Sequence, residues 1–147
     1  MLANNEEYFG VLENVKREIA NAQQRAVASA NEEVVRLYWR VGSVLNEHSE
    51  YGKTFIESLA KDIKTAFPKI KGFSARSMWY MQKFACEVDP EFCSSCCRIP
   101  WGHVMYVLDK TKPGPAREWY VDATIENGWS RAVLVHQIES KLYERQV

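Results

Sequence analysis

Residues 53–86 read KTFIESLAKDIKTAFPKIKGFSARSMWYMQKFAC and carry the clearest helical signals in the chain. Their apolar side chains recur at the three- and four-residue spacing of one helical face, first at Phe55, Ile56, Leu59, Ile63 and Phe67. Pro68 ends this helix, because proline disfavours helical backbone at the residue before it. Ser74 is a typical N-cap residue for a second helix that runs to about Cys86. Residues 53–86 are therefore predicted to form a helix-turn-helix-like element.

The rest of the chain shows the same helical periodicity, without the period-two alternation that is typical of strands. Further helices are predicted over residues 6–22, 25–48, 90–99, 103–109, 116–127 and 131–145. Gly42 lies inside the second of these, where glycine costs about 1 kcal/mol relative to alanine, and we interpret it as the mark of a close helix crossing. We therefore predict an all-α, compact multi-helix domain that spans residues 1–147.

The composition is that of an ordinary globular protein, with 46% hydrophobic and 26% charged residues. The sequence contains no apolar run of about 18 residues, and its start lacks the basic and then apolar pattern of a secretory signal. The four cysteines all lie between residues 86 and 97, which is too clustered a set to staple a domain of this size. We expect a cytoplasmic protein without disulfides and without membrane association.

The positive charge is concentrated in one segment, although the whole chain has a net charge of zero. Residues 61–83 hold six basic and one acidic side chain, whereas the segments before and after them are both net acidic. A basic face beside a helix-turn-helix-like element is typical of DNA binding, and the alternative is an ordinary solvated face. The predicted DNA-binding residues are Lys61, Lys64, Lys69, Lys71, Ser74, Arg76, Ser77, Tyr80 and Lys83.

These residues are expected to act in two ways. Arg76, Ser77 and Lys83 would approach the duplex from the second helix, on a polar face that also includes Tyr80. The lysines between residues 61 and 71 would contact phosphates, which gives affinity without sequence information. The five tryptophans are interpreted as core residues rather than base-stacking platforms, because each lies in an apolar helical context.

Signals for metal binding and catalysis are weak. Cys93 and Cys96 have the spacing of a zinc knuckle, but together with Cys97 they also have the spacing of a buried helical stripe. The tripeptide Glu139 to Lys141 is similar to half of a restriction-type nuclease motif, yet it lies on a predicted helix, where a surface ion pair is the alternative. We predict no catalytic centre, no metal site and no cofactor.

Six stretches, taken in order, resemble the N-terminal domain of the YhcG family of bacterial proteins, which are predicted nucleases of the PDDEXK type. They are residues 37–42, 67–76, 79–81, 99–103, 125–131 and 136–140. The resemblance implies a helical domain that precedes a C-terminal nuclease domain, so that this chain lacks the catalytic part. The three clustered cysteines replace aliphatic and polar residues of the family, which favours the core interpretation.

Two functional hypotheses follow. The first is a non-catalytic module that binds or positions DNA for a nuclease, with DNA and the protein's own C-terminal nuclease domain as partners. The second is an interaction module that forms a homodimer or assembles the nuclease through an apolar helical face, since aromatic residues are more abundant than one core needs. The motif from Ile99 to His103 is interpreted as a rigid corner that packs Trp101 into the core, with a partner-facing motif as the alternative.

Overall fold

A computed structural model describes residues 4–48, 50 and 52–146, and within them the chain forms eight helices and no strand. The all-α prediction is confirmed. The helices are α1 (Asn5–Asn46), α2 (Gly52–Ala66), α3 (Ala75–Glu87), α4 (Pro90–Cys96), α5 (Trp101–Lys110), α6 (Pro115–Asn127), α7 (Arg131–Glu139) and α8 (Leu142–Gln146).

Helix α1 is a single helix of 42 residues, so the prediction of two separate helices over residues 6–22 and 25–48 is wrong. The predicted gap falls on Gln23 and Gln24, which are good helix formers, and no glycine or proline lies nearby to end the helix. Asn4 caps the start, because its side-chain oxygen accepts a hydrogen bond of 2.8 Å from the backbone N–H of Glu7. Local propensity thus carries the helix through a region whose side chains are exposed.

The core forms two clusters that meet where α1 and α3 pack together. One cluster joins the second half of α1 to α2 and α3, and its buried members are Tyr38, Leu45, Ile56, Met78 and Met81. The larger cluster joins α1 and α3 to the helices from α4 onwards, and Phe84, Val104, Tyr120 and Leu134 lie within it. A Cβ atom added to Gly42 would meet the backbone oxygen of Met81 at 1.9 Å, so the predicted close crossing is confirmed.

Several helix ends lie where the sequence predicts them. Ser74, Asp89 and Ser130 each accept a hydrogen bond from a backbone N–H in the first turn of the helix that follows. Gly128 ends α6 in the left-handed conformation. The C-terminal segment differs from the prediction of one helix over residues 131–145. It divides at Ser140 and Lys141, where Lys141 has a φ of 58°, into α7 and α8.

The segment from Ile99 to His103 forms a rigid corner. Pro100 lies at the N-cap position of α5, and the indole N–H of Trp101 donates a 3.1 Å hydrogen bond to Ser77 Oγ. His103 Nε2 lies 2.9 Å from the carbonyl oxygen of Trp129. Trp101 packs against both core clusters, as the corner interpretation predicts. His103 does not cap the helix, because α5 begins two residues earlier, at Trp101, with Pro100 at its N-cap position.

The clustered cysteines lie in the core, as the spacing of Cys93, Cys96 and Cys97 predicts. The sulfur atoms of Cys93 and Cys97 are 3.8 Å apart, and this hydrogen bond raises the pKa of Cys93 and lowers that of Cys97. Burial raises the pKa of Cys96 to about 12. Among the described residues, no group of three histidine, cysteine, aspartate or glutamate side chains is arranged to hold a metal ion.

The first half of α1 extends beyond the core. Every residue from Asn4 to Ala30 is exposed except Leu12, which is half-buried. Asn31 links α1 to the core helices, since its side-chain amide donates 3.0 Å hydrogen bonds to the carbonyls of Cys97 and Ile99. In the described part of the chain, no helix is both long enough and apolar enough to cross a bilayer.

Candidate functional site

The basic side chains of residues 61–83 lie along α2, the connection after it and α3. We call Lys61, Lys64, Lys69, Lys71, Arg76 and Lys83 the basic surface. All of them are exposed except Lys83, which is half-buried, and Asp62 is the one acidic residue in the segment. Helices α2 and α3 contact each other, and the connection joins them at one end of this contact. The geometry thus presents several cations on one continuous stretch of backbone.

The connection between α2 and α3 is held in a defined shape. The backbone N–H of Ile70 donates to the carbonyl of Phe67, and the ring of Phe73 packs edge-on against Tyr38 at a centroid distance of 5.6 Å. Gly72 has a φ of +86° and approaches Tyr38 so closely that an added Cβ atom would meet the Tyr38 hydroxyl at 2.1 Å. Glycine is therefore required at this turn, and Lys71, just before it, is held against α1 because its carbonyl oxygen accepts a 3.5 Å hydrogen bond from the Tyr38 hydroxyl.

Ser74 lies on the exposed side of this connection and caps α3. Its Oγ atom accepts a 3.1 Å hydrogen bond from the backbone N–H of Ser77. The oxygen serves the end of α3, and the hydroxyl group keeps a hydrogen that it can donate to another acceptor. Ser74 therefore has a structural role as the N-cap of α3 in addition to its predicted contact with DNA.

Two predicted site residues lie inside the molecule. Ser77 is 7% exposed, and its hydroxyl oxygen accepts the hydrogen bond from Trp101. Tyr80 is also 7% exposed, and the guanidinium of Arg76 lies 5.1 Å from the centre of its ring. The sequence suggested that Tyr80 shares the polar face with Lys83, but the buried face of α3 includes it. Neither Ser77 nor Tyr80 belongs to the basic surface.

Trp79 takes the exposed position that the sequence assigned to Tyr80. It is 49% exposed, so the interpretation of every tryptophan as a core residue is wrong at this position. The amino group of Lys83 lies 5.5 Å from the centre of the indole ring. A cavity of about 570 Å³ opens beside Trp79 and Arg76 and has Ile56 in its wall. Sequence periodicity alone did not identify this exposed aromatic ring with a cation beside it.

The residues weighed for catalysis are not brought together. Glu139, Ser140 and Lys141 lie at the junction of α7 and α8, where the helix is interrupted. His103 is buried against Trp129, while His48 lies exposed in the turn after α1 and His136 lies exposed on α7.

A family model described as the DUF1016 N-terminal domain matches residues 14–145. No curated protein and no solved structure matches the chain. The matched range includes α2, α3 and the whole basic surface, together with most of α1.

Proposed function

The chain belongs to the DUF1016 N-terminal domain family, consistent with its resemblance to the YhcG proteins, and on this premise we propose that it is a non-catalytic module that binds DNA through the basic surface. In a longer protein it would position a nuclease domain that follows it on the same chain. The observation that carries the proposal is the concentration of six exposed or half-exposed cations along α2, the connection and α3, with one carboxylate among them.

Electrostatics supports a polyanionic ligand. A protein that places cations against DNA phosphates releases the condensed counterions, and this release dominates non-specific affinity. Lysine side chains on an exposed helix and turn can reach phosphates without fixed geometry, whereas Arg76 can also form paired hydrogen bonds to a phosphate or to a guanine edge. The close approach of Gly72 to the buried Tyr38, and the hydrogen bond from the Tyr38 hydroxyl to the carbonyl oxygen of Lys71, hold the connection against α1.

Trp79 adds a second kind of contact to the same surface. A half-exposed indole ring beside Arg76 and Lys83 can stack on an unpaired base while the cations contact its phosphates. This arrangement favours DNA with unpaired bases, such as a single strand, a junction or a duplex end, over a uniform duplex. Trp79→Ala should therefore weaken binding to single-stranded or branched DNA more than binding to duplex.

Fluorescence anisotropy with labelled duplex, single-stranded and branched DNA tests the proposal. The variant Lys69→Glu/Lys71→Glu/Arg76→Glu should lose most of the binding and lower the slope of log affinity against log salt by about 3, since each lost phosphate contact removes about 0.9 from that slope. Binding that is unchanged in this variant would overturn the proposal.

A matched control distinguishes the basic surface from general positive charge. Lys110, Lys112 and Lys141 are exposed and lie outside residues 61–83. Their reversal to glutamate changes the net charge by the same amount and should leave most of the binding intact. If both triple variants lose binding equally, net charge rather than the basic surface governs the interaction.

A second function, assembly with another protein chain, is favoured by the exposed first half of α1. Tyr8, Phe9, Val15 and Ile19 are each about half or more exposed there. Exposed apolar side chains grouped on one segment mark an interaction surface rather than ordinary solvated surface. The two functions use different parts of the molecule and are compatible with each other.

A further inference from the structure

The first half of α1 carries an apolar stripe of its own. Tyr8, Leu12, Val15 and Ile19 recur at alternating four- and three-residue spacing, and Ala22 and Ala26 continue the pattern. Tyr8 is 58% exposed and Ile19 is 53% exposed. This alternation is the heptad spacing of a coiled-coil seam. We call these six residues the α1 stripe.

No other residue that the structure describes covers the α1 stripe, since five of its six members are exposed and the sixth, Leu12, is half-buried. The core-facing positions of α1 are Val35, Tyr38, Gly42 and Leu45. The same spacing continued towards the N-terminus passes through Asn31, Ala28, Gln24, Asn21 and Arg17, of which only Ala28 is apolar. Since each residue turns the helix by about 100°, the α1 stripe lies on a different side of the helix from the core. Its cover must come from outside the described fold.

The charges beside the α1 stripe match a second copy of this chain. Glu18 and Arg25 lie seven residues apart on the same flank of the stripe. In an antiparallel pair with Ile19 of one copy opposite Ala22 of the other, Glu18 of each copy faces Arg25 of the other. A parallel pair would place Glu18 beside Gln23 instead, and an antiparallel pair shifted by one heptad step would place Glu18 against Glu18. One register therefore forms two ion pairs and avoids repulsion.

The same register packs large side chains against small ones. Ile19 lies opposite Ala22, Val15 opposite Ala26, and Leu12 opposite Ser29, and each pairing occurs twice in a symmetric dimer. Alternation of large and small residues across a helix pair allows close packing. We propose that the α1 stripe pairs with the same stripe of a second copy as an antiparallel coiled coil. This inference rests on the assembly function given above and names its partner, and it does not depend on DNA binding.

A charge-swap experiment on the full chain tests the proposal. Analytical ultracentrifugation across a concentration series should show a monomer–dimer equilibrium for the natural sequence. Glu18→Arg and Arg25→Glu should each raise the dimer dissociation constant by about tenfold, a change that corresponds to roughly 1.4 kcal/mol. The double variant Glu18→Arg/Arg25→Glu should restore the natural value, because the ion pairs form again with reversed sign.

Two further variants make the test specific to the stripe. Ile19→Glu should give a folded monomer with unchanged helical circular dichroism, while Val27→Glu, at an exposed position outside the stripe, should leave the dimer intact. A natural chain that is monomeric at every concentration would overturn the proposal, as would a double variant no tighter than the single variants. The basic surface is untouched in all of these variants, so a failure of dimerisation is distinguishable from a failure of DNA binding.

Discussion

Arg117 is a charged side chain held inside the molecule, with 2% of its surface exposed. Its guanidinium forms a 2.9 Å ion pair with Glu87 and donates hydrogen bonds to the carbonyls of Leu108 and Thr111 and to the Thr111 hydroxyl. These contacts tie α6 to the end of α3 and to the connection after α5. This role could not be predicted from the sequence, because a single arginine on a helix is usually exposed.

Arg117→Ala should lower the free energy of unfolding by about 3 kcal/mol, since it leaves buried carbonyl groups and a partly buried carboxylate without their partner. Glu87→Gln keeps a hydrogen-bond acceptor at the same place but leaves the buried Arg117 cation without its counter-charge, so it should cost about 2–3 kcal/mol. Urea unfolding of the two variants measures both values. An Arg117→Ala variant as stable as the natural chain would show that these contacts contribute no net stability.

The thiols should differ strongly in reactivity. Cys86 is exposed, whereas Cys93, Cys96 and Cys97 are buried. A disulfide-exchange reagent near pH 8 should therefore modify Cys86 rapidly and the others only after unfolding, and Cys86→Ser should remove the rapid phase. Rapid modification of three or four thiols in the folded chain would contradict the core position of the cluster.

Because the pKa of Cys96 is raised, the free energy of unfolding should fall as the pH rises. Burial holds its folded-state pKa at about 12, above the ordinary thiol value near 8.5 in the unfolded chain. Its contribution to stability is fully present below the unfolded value and is lost as the pH rises towards 12. Urea midpoints should fall over this range, and they should fall less in Cys96→Ala. An equal decline in both proteins would contradict this role of Cys96.

At the scale of helices, the crossing of α1 and α3 depends on Gly42. An added Cβ atom there would lie 2.6 Å from the backbone carbon of Met81, so either helix must shift to accommodate it. Gly42→Ala should lower the free energy of unfolding by about 1–3 kcal/mol, the range typical of overpacked cores. Gly10→Ala, on the same helix with no atom near the new Cβ, should raise it by about 0.5–1 kcal/mol.

Thermal unfolding of these two glycine variants compares the same chemical change at a crossing and on an exposed helix. Their opposite signs are the expected result, because helix propensity favours alanine at both positions and only the crossing opposes it. Destabilisation of similar size in both variants would show that the exposed half of α1 is also tightly packed.

The sequence predicts well those elements whose ends carry local signals. The helices α2 and α3 are recognisable from Pro68, Gly72 and Ser74, and α6 ends at Gly128 as predicted. The sequence predicts less well those features that depend on tertiary contacts. Tyr80 faces the core although its hydroxyl made it a candidate for the polar face, and the interruption at Lys141 has no glycine or proline to announce it. A residue with both polar and apolar character, such as tyrosine, can lie on the buried or on the exposed face of a helix, and the tertiary contacts around it decide which.

At the scale of the whole molecule, two separate features lie outside the core. The six cations of the basic surface lie close together in the sequence, between residues 61 and 83. This part of the candidate site could therefore be predicted. The exposed Trp79 and the unpartnered α1 stripe were not predictable, since only the fold shows which apolar residues it leaves uncovered. The family membership agrees with the resemblance found in the sequence.

The measurement that tests DNA binding most directly is a nuclear magnetic resonance titration of the ¹⁵N-labelled chain with a short branched DNA. The proposal predicts the largest amide shifts from Lys61 to Lys83, including the indole N–H of Trp79, and small shifts in α6 to α8. Shifts concentrated elsewhere, or none on addition of excess DNA at low salt, would contradict it.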